Sequence, residues 1–247
     1  DLPSLVQCSA DVRALSYALV AQGVASGQLT RMISSLNDQL VSRLLDVTAP
    51  RHDLSGATLC WIGMGSEGRS EQTIATDQDN GLIFVANDPA VAPGAIRDRL
   101  LPFAREVNEG LDALGYPLCK GGVMAMNPKW CASLDEWRAA FYAWIDRGDP
   151  QSLLEANIFF DFRALWGEAA LAEVLRVDIA GRARGNPRFL KQMSDNALRN
   201  GPPQSWTAGV LETLFSREAA VVDLKLNGTV PFVDAARLLA LANGIRA

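Results

Sequence analysis

Histidine is nearly absent: His52 is the only one in 247 residues, and the four cysteines, Cys8, Cys60, Cys119 and Cys131, show no C-x-x-C spacing. One histidine all but excludes a histidine-rich metal centre and a Ser–His–Asp triad. The scattered cysteines read as free thiols of a reducing, cytoplasmic compartment, not as a disulfide frame or zinc site. Basic residues are in deficit, with 23 Lys and Arg against 28 Asp and Glu and a net charge of −5. That balance argues against nucleic-acid binding through a broadly basic surface. No run reaches the roughly eighteen apolar residues of a membrane span, and nothing N-terminal has the form of a signal peptide. Catalysis is left to carboxylates, lysine, arginine and metal.

What is present is an ordinary globular composition, 49% hydrophobic and 21% charged. The chain starts with Asp rather than Met and is expected to be a piece of something longer. Residues 4–47 read as two helices, the second carrying Leu29, Met32, Ile33, Leu36, Leu40, Leu44 and Leu45 at helical spacing. Short apolar runs at 57–62 and 81–86 predict strands, 95–114 predicts a helix, and 116–126 reads as a strand interrupted at Gly121-Gly122. From Ser133 onward the pattern is helical, over about 133–147, 150–166, 168–180, 187–199, 206–220 and 231–243. The expected division is an N-terminal helical hairpin (1–49), an α/β unit (50–131) and an all-helical C-terminal part (132–247).

The chemistry concentrates in GMGSEGRSEQTIATDQDN, residues 63–80. Gly63, Gly65 and Gly68 form G-x-G-x-x-G, the pattern of a dinucleotide site. The segment after it is too short and polar for the crossover helix that such a fold requires. A second reading accounts for more of the residues. Gly65-Ser66 would end a strand at a helix N-terminus, where backbone N–H groups and the hydroxyl hold phosphate. Asp77 and Asp79, two apart at the start of the next strand, would point to one face. Paired carboxylates suit Mg²⁺, which shares its remaining positions with water and phosphate oxygens.

The stretch GSEGRSEQTIATDQDNGLIF resembles the Gly-Ser…Asp-x-Asp signature of the DNA polymerase β-type nucleotidyltransferase superfamily, in the branch of the PII-protein uridylyltransferases. More narrowly, it is similar to nucleotidyltransferase domains found beside cyclic-nucleotide-binding and cystathionine-β-synthase-type sensor domains in bacteria. GYPLCKGGVMAMNPKW (115–130), NIFFDFRALWG (157–167) and VDLKLNGTVPFVDAARLLALANGI (222–245) fit the same family. The resemblance implies an α+β fold: a small mixed-sheet nucleotidyltransferase domain between a helical hairpin and a helical C-terminal domain. It implies transfer of a nucleoside monophosphate from an NTP to an acceptor hydroxyl, of a protein or a small molecule, in bacterial signalling. The alternative is a nucleotide-sensing module that turns over weakly or not at all.

Under this reading Asp77 and Asp79 are the catalytic residues and ligands of Mg²⁺ (or Mn²⁺), and Gly65 and Ser66 bind the triphosphate, with helix capping as the bland role for Ser66. Arg69 and Glu71 are expected on the short connecting helix, Arg69 reaching phosphate oxygens or, in the bland reading, forming a surface ion pair with Glu71. Lys120 is placed to contact phosphate. The superfamily's third carboxylate has no counterpart in 117–122, and Asp161 is the substitute considered, with Arg163 as a phosphate or ion-pair partner. Both are expected on a helix, facing different ways. Expected partners are the nucleotide, an acceptor protein, sensor domains of the full-length chain, and a second copy through the N-terminal helices. The basic stretch 176–199 and the tryptophans Trp130, Trp137 and Trp144 are read as a solvated face and as helix packing.

Overall fold

The computed structural model describes residues 1–74, 76–147, 157–198 and 228–245; the expected helix at 206–220 lies outside them. The chain divides into two compact units, Asp1–Ala139 with Ile158–Leu175 and Ala140–Asn157 with Arg176–Ala247, and each is taken by itself.

The strands of the first unit are β1 (Ala57–Met64), β2 (Asn80–Ala86), β3 (Cys131–Ser133) and β4 (Phe162–Gly167). Leu59, Cys60, Trp61 and Ile62 of β1 are all buried. A strand apolar at consecutive positions needs cover on both faces, and β1 lies inside a sheet of order β3-β2-β1-β4. It pairs antiparallel with β2 on one side and antiparallel with β4 on the other. The parallel β2–β3 pairing follows the crossover that such a connection requires. That crossover includes helix α4 (Pro93–Ala113). A mixed sheet among helices is the expected α+β class.

Helices α1 (Leu2–Ala21) and α2 (Ser26–Thr48) form the N-terminal hairpin. Leu40, Val41, Leu44 and Leu45 of α2 join Leu100, Phe103 and Val107 of α4 and Trp61, Leu82 and Phe84 of the sheet in one core. Burying each such side chain contributes about 1.5–3 kcal/mol. Ile33, Leu40, Leu44 and Leu45 of the leucine stripe are therefore core residues, covered within the chain itself.

Two further expectations change. Residues 116–126 are not a strand. Pro117 O accepts from Gln78 N and Val123 O from Asn80 N, both at 3.0–3.1 Å, while the residues between loop out through a turn closed by Gly122 N to Cys119 O. Six residues of advance on one side against two on the other leave no continuous ladder. Of the predicted helix over 150–166, residues 150–156 lie outside the described residues, and the remainder is a turn at Asn157–Phe160 followed by β4.

The second unit is helical over its described residues, from the C-terminal part of α5 (Leu134–Arg147) and of α6 (Ala169–Arg184) to α7 (Pro187–Ala197) and α8 (Val230–Asn243). Phe141, Ile145, Ile179, Ala183, Phe189, Met193 and Leu241 are buried there. Asn186 caps α7, accepting from Phe189 N at 3.0 Å and donating from Nδ2 to Ile145 O at 3.0 Å. Among the described residues no helix is long and apolar enough to cross a membrane.

Candidate functional site

β1 runs out at Met64 into a single helical turn, α3 (Gly65–Gly68). Each glycine of G-x-G-x-x-G has a local reason. A Cβ on Gly63 would stand 2.6 Å from Glu67 Cγ, and one on Gly65, whose φ is +59°, would stand 2.8 Å from Ile158 Cγ1. A Cβ on Gly68 would overlap the Asp161 carbonyl oxygen. The motif lets this turn lie against residues 158–161.

Polar bonds hold it there. Gly65 N–H donates to Asp161 O at 2.9 Å, and Arg163 Nε donates to Glu67 O at 2.9 Å. Arg69 lies just past α3, not on a longer helix. Its Nη1 bonds Asp161 Oδ2 at 2.6 Å and its Nε bonds Glu71 Oε2 at 2.7 Å. The bland reading of Arg69 and Glu71 as an ion pair is thus present, with Asp161 as a third member. Ser66 does not cap α3, since Met64 holds the cap position and no side chain caps the turn. Asp161 and Arg163 do not diverge as on a helix. Asp161 immediately precedes β4 and Arg163 lies within it, so period two sends both toward α3.

Asp77 and Asp79 lie immediately before β2 rather than in it. Their alternation survives because the residues between and after them are anchored. Gln78 Nε2 donates to Asn108 O and Tyr116 O, and Asn108 Nδ2 donates to Gln78 Oε1 at 2.7 Å and to Asn80 Oδ1 at 2.9 Å. Ala125 N and Met126 N close the network on Asn80 Oδ1 and Asn108 Oδ1. Gln78, Asn80 and Asn108 are buried, where a lost partner costs about 1–3 kcal/mol, so the register is firmly set. Asp77 is left exposed and Asp79 half-buried, between the buried Gln78 and Asn80. Asp79 Oδ2 stands 3.6 Å from where a Cβ on Gly65 would be. The glycine–serine turn and one carboxylate of the pair thereby meet. Sequence reasoning missed Asn108, a mid-helix asparagine with no local signal.

It also missed Glu67. Only 7% exposed, this carboxyl has its pKa pushed up to about 8, by burial first, then by the Asp38 carboxylate, against the pull of Arg163; Asp79 adds to the rise and a hydrogen bond with Gln72 opposes it. Its ordinary value is 4.5, so between 4.5 and about 8 the folded chain holds a proton that the unfolded chain has released. Stability therefore falls as pH rises through that window. In metal-free buffer the unfolding free energies of wild type and Glu67→Gln should diverge there by up to about 1.4 kcal/mol per pH unit, wild type losing ground. Parallel curves from denaturant titrations across that range would show that Glu67 ionises without strain.

Other expected contributors sit as follows. Lys120 is exposed in the Cys119–Gly122 turn. On that same loop the Cys119 thiol is held above its usual range, by burial first and also by the Asp79 carboxylate, with which it hydrogen-bonds. In the basic stretch, Arg182 pairs with Asp146, Lys191 pairs with Asp195 at 2.7 Å, and Arg188 donates to the carbonyls of Asp146 and Arg147. These partners lie within the chain, on side chains that remain largely exposed. Trp130 stacks on Trp137 at 5.7 Å and meets Phe159 in a tilted contact at 4.2 Å, which is packing.

A sheet ending in a glycine–serine turn, with Asp-x-Asp returning beside it, is the arrangement of a nucleotidyltransferase-type domain. The family model described as putative nucleotidyltransferase DUF294 matches residues 10–151, more than half of the chain, and the chain belongs to that family. Residues 187–247 match the model of a putative nucleotidyltransferase substrate binding domain. Comparison with curated proteins and with solved structures returns no match.

Proposed function

We propose that this chain transfers a nucleoside monophosphate from an NTP to an acceptor hydroxyl, with pyrophosphate leaving. The observation that carries the reading is the approach of Asp79 to the Gly65 turn, with Asp77 and Asp79 held in alternation by the buried Gln78–Asn80–Asn108 network. Ser66 and the α3 amides other than Gly65 N–H, which Asp161 O already receives, would take the triphosphate, with Lys120 and, once drawn from its carboxylates, Arg69 as cationic partners. Among the described residues no group of three or more His, Cys, Asp or Glu side chains forms a ready metal cage. Two carboxylates alone fit Mg²⁺ or Mn²⁺ carried in with the nucleotide, since Mg²⁺ keeps waters and phosphate oxygens as its other ligands. When bound, the cation would neutralise charge developing on the phosphates. Asp77 and Asp79 would fix its position relative to the turn. The resemblance to uridylyltransferases favours a protein hydroxyl as acceptor and a role in bacterial signalling under neighbouring sensor domains.

A second reading, a nucleotide sensor without turnover, has its own support. The loop where a third carboxylate would stand offers Cys119, and Asp161 is engaged by Arg69 rather than free to act as a base. Incubation of the protein with Mg²⁺ and each α-³²P-labelled NTP, with and without cell extract as acceptor source, separates the two. Pyrophosphate release with label on an acceptor supports transfer; nucleotide retained without release supports the sensor.

A further inference from the structure

The site's turn is held from the sheet side by residues 158–163, and α2 reaches it from elsewhere in the chain. Although the C-terminal half of α2 enters the core through Leu40, Leu44 and Leu45, the helix also carries three polar residues toward the site, Ser34, Asn37 and Asp38. Ser34 Oγ accepts from Gln72 N at 3.1 Å. Asn37 Oδ1 accepts from Tyr116 Oη at 2.7 Å, next to the Tyr116 carbonyl that receives Gln78. Asp38 Oδ1 accepts from Arg163 Nη2 at 2.7 Å, and Arg163 in turn donates to the Glu67 carbonyl at the end of α3. The Ser34 bond reaches the link after the turn directly, while Asn37 acts on the return before β2 through Tyr116 and Asp38 acts on the turn through Arg163.

We infer that Asp38 is a positioning residue of the candidate site, fixing the α3 turn through Arg163 so that the turn is preset for a triphosphate. The inference rests on the nucleotidyltransferase reading for what the turn binds, but not for what holds the turn. A guanidinium can satisfy a backbone carbonyl and a carboxylate at once, and its planar fork fixes the angle between them. With Asp38 removed, Arg163 keeps its charge in a half-buried place and is drawn toward Glu67, Asp79 or solvent, releasing the Glu67 carbonyl. Asn37 and Ser34 hold the neighbouring chain in the same manner, so a shift of α2 along its axis would be felt at all three places. The hairpin is in this sense part of the site rather than an appendage to it.

The test uses the full chain and two readouts. Amide hydrogen exchange of residues 65–71 is followed without nucleotide, where Arg69, Ser70 and Glu71 N–H groups bond the carbonyls of Gly65, Glu67 and Ser66. Affinity for ATP, GTP, CTP and UTP with Mg²⁺ is measured by calorimetry. Asp38→Ala should speed exchange across 65–71 and weaken the best-bound NTP by about tenfold or more, a typical loss when a supporting residue is removed. Asp38→Asn retains an acceptor for Arg163 and should recover much of both. Asp135→Asn, which breaks the exposed Arg138 pair, serves as a control that should change neither. Unchanged exchange in a folded Asp38→Ala would overturn the positioning role. Faster exchange with undiminished NTP affinity would overturn its link to binding. If wild type binds no NTP, the proposed function fails, and exchange alone still decides whether Asp38 holds the turn. Should Asp38→Ala not fold, Arg163→Lys, which keeps the charge and loses the fork, provides the same comparison.

Discussion

Asp79→Asn is expected to lower nucleotidyl transfer by about 10²–10³-fold, the scale on which removal of one preorganised electrostatic group acts. Asp77→Asn should act in the same direction, because neither carboxylate can hold a divalent cation alone against water. The loss should come without loss of fold. Asp77 is exposed, and the Asp79 backbone carbonyl, which accepts from Met64 N at 2.8 Å, is untouched by the change. Asp79 is also one of the charges that raise the Glu67 pKa, so removing it should make the protein more stable at alkaline pH, not less. Activity and stability moving in opposite directions is the signature of a residue kept for function. Transfer persisting at wild-type rate in both variants would end the assignment of this pair.

Gly68→Ala should have a large effect through packing. In a helical turn, alanine in place of glycine ordinarily stabilises by about 1 kcal/mol. Here the added methyl would meet the Asp161 carbonyl oxygen, and the Phe162 Cα stands only 3.0 Å away. Backbone cannot swing aside as a side chain can, so the overpacking cost, about 1–3 kcal/mol or more, exceeds the propensity gain. The expected result is a net loss of stability together with lost protection of the Gly65 N–H bond to Asp161. A stabilised Gly68→Ala, measured by thermal or denaturant unfolding, would show that α3 does not lie against this strand end.

The sequence alone determined that a turn rich in small residues joins two buried strands, and that two aspartates follow it at period two. Those features are local: apolar runs bounded by glycine, and alternation that any extended chain obeys. It also determined most helices, because α2, α4, α5 and α7 each carry periodic apolar residues between evident breaks. Tertiary structure alone decided β4, since Phe162–Gly167 is short and half-buried, and only pairing with β1 makes it a strand. With β4 misread, Asp161 and Arg163 could not be placed against α3. Distance in sequence hid the rest. Asp38 lies 125 residues from Arg163, and Asn108 reaches Gln78 across 30 residues. Glu67 looks like any surface glutamate until Asp38, Asp79 and Arg163 close around it and burial withdraws its water. The glycines that suggested a cofactor are explained by what they touch: an isoleucine, a glutamate stem and a backbone carbonyl, none visible in a linear motif.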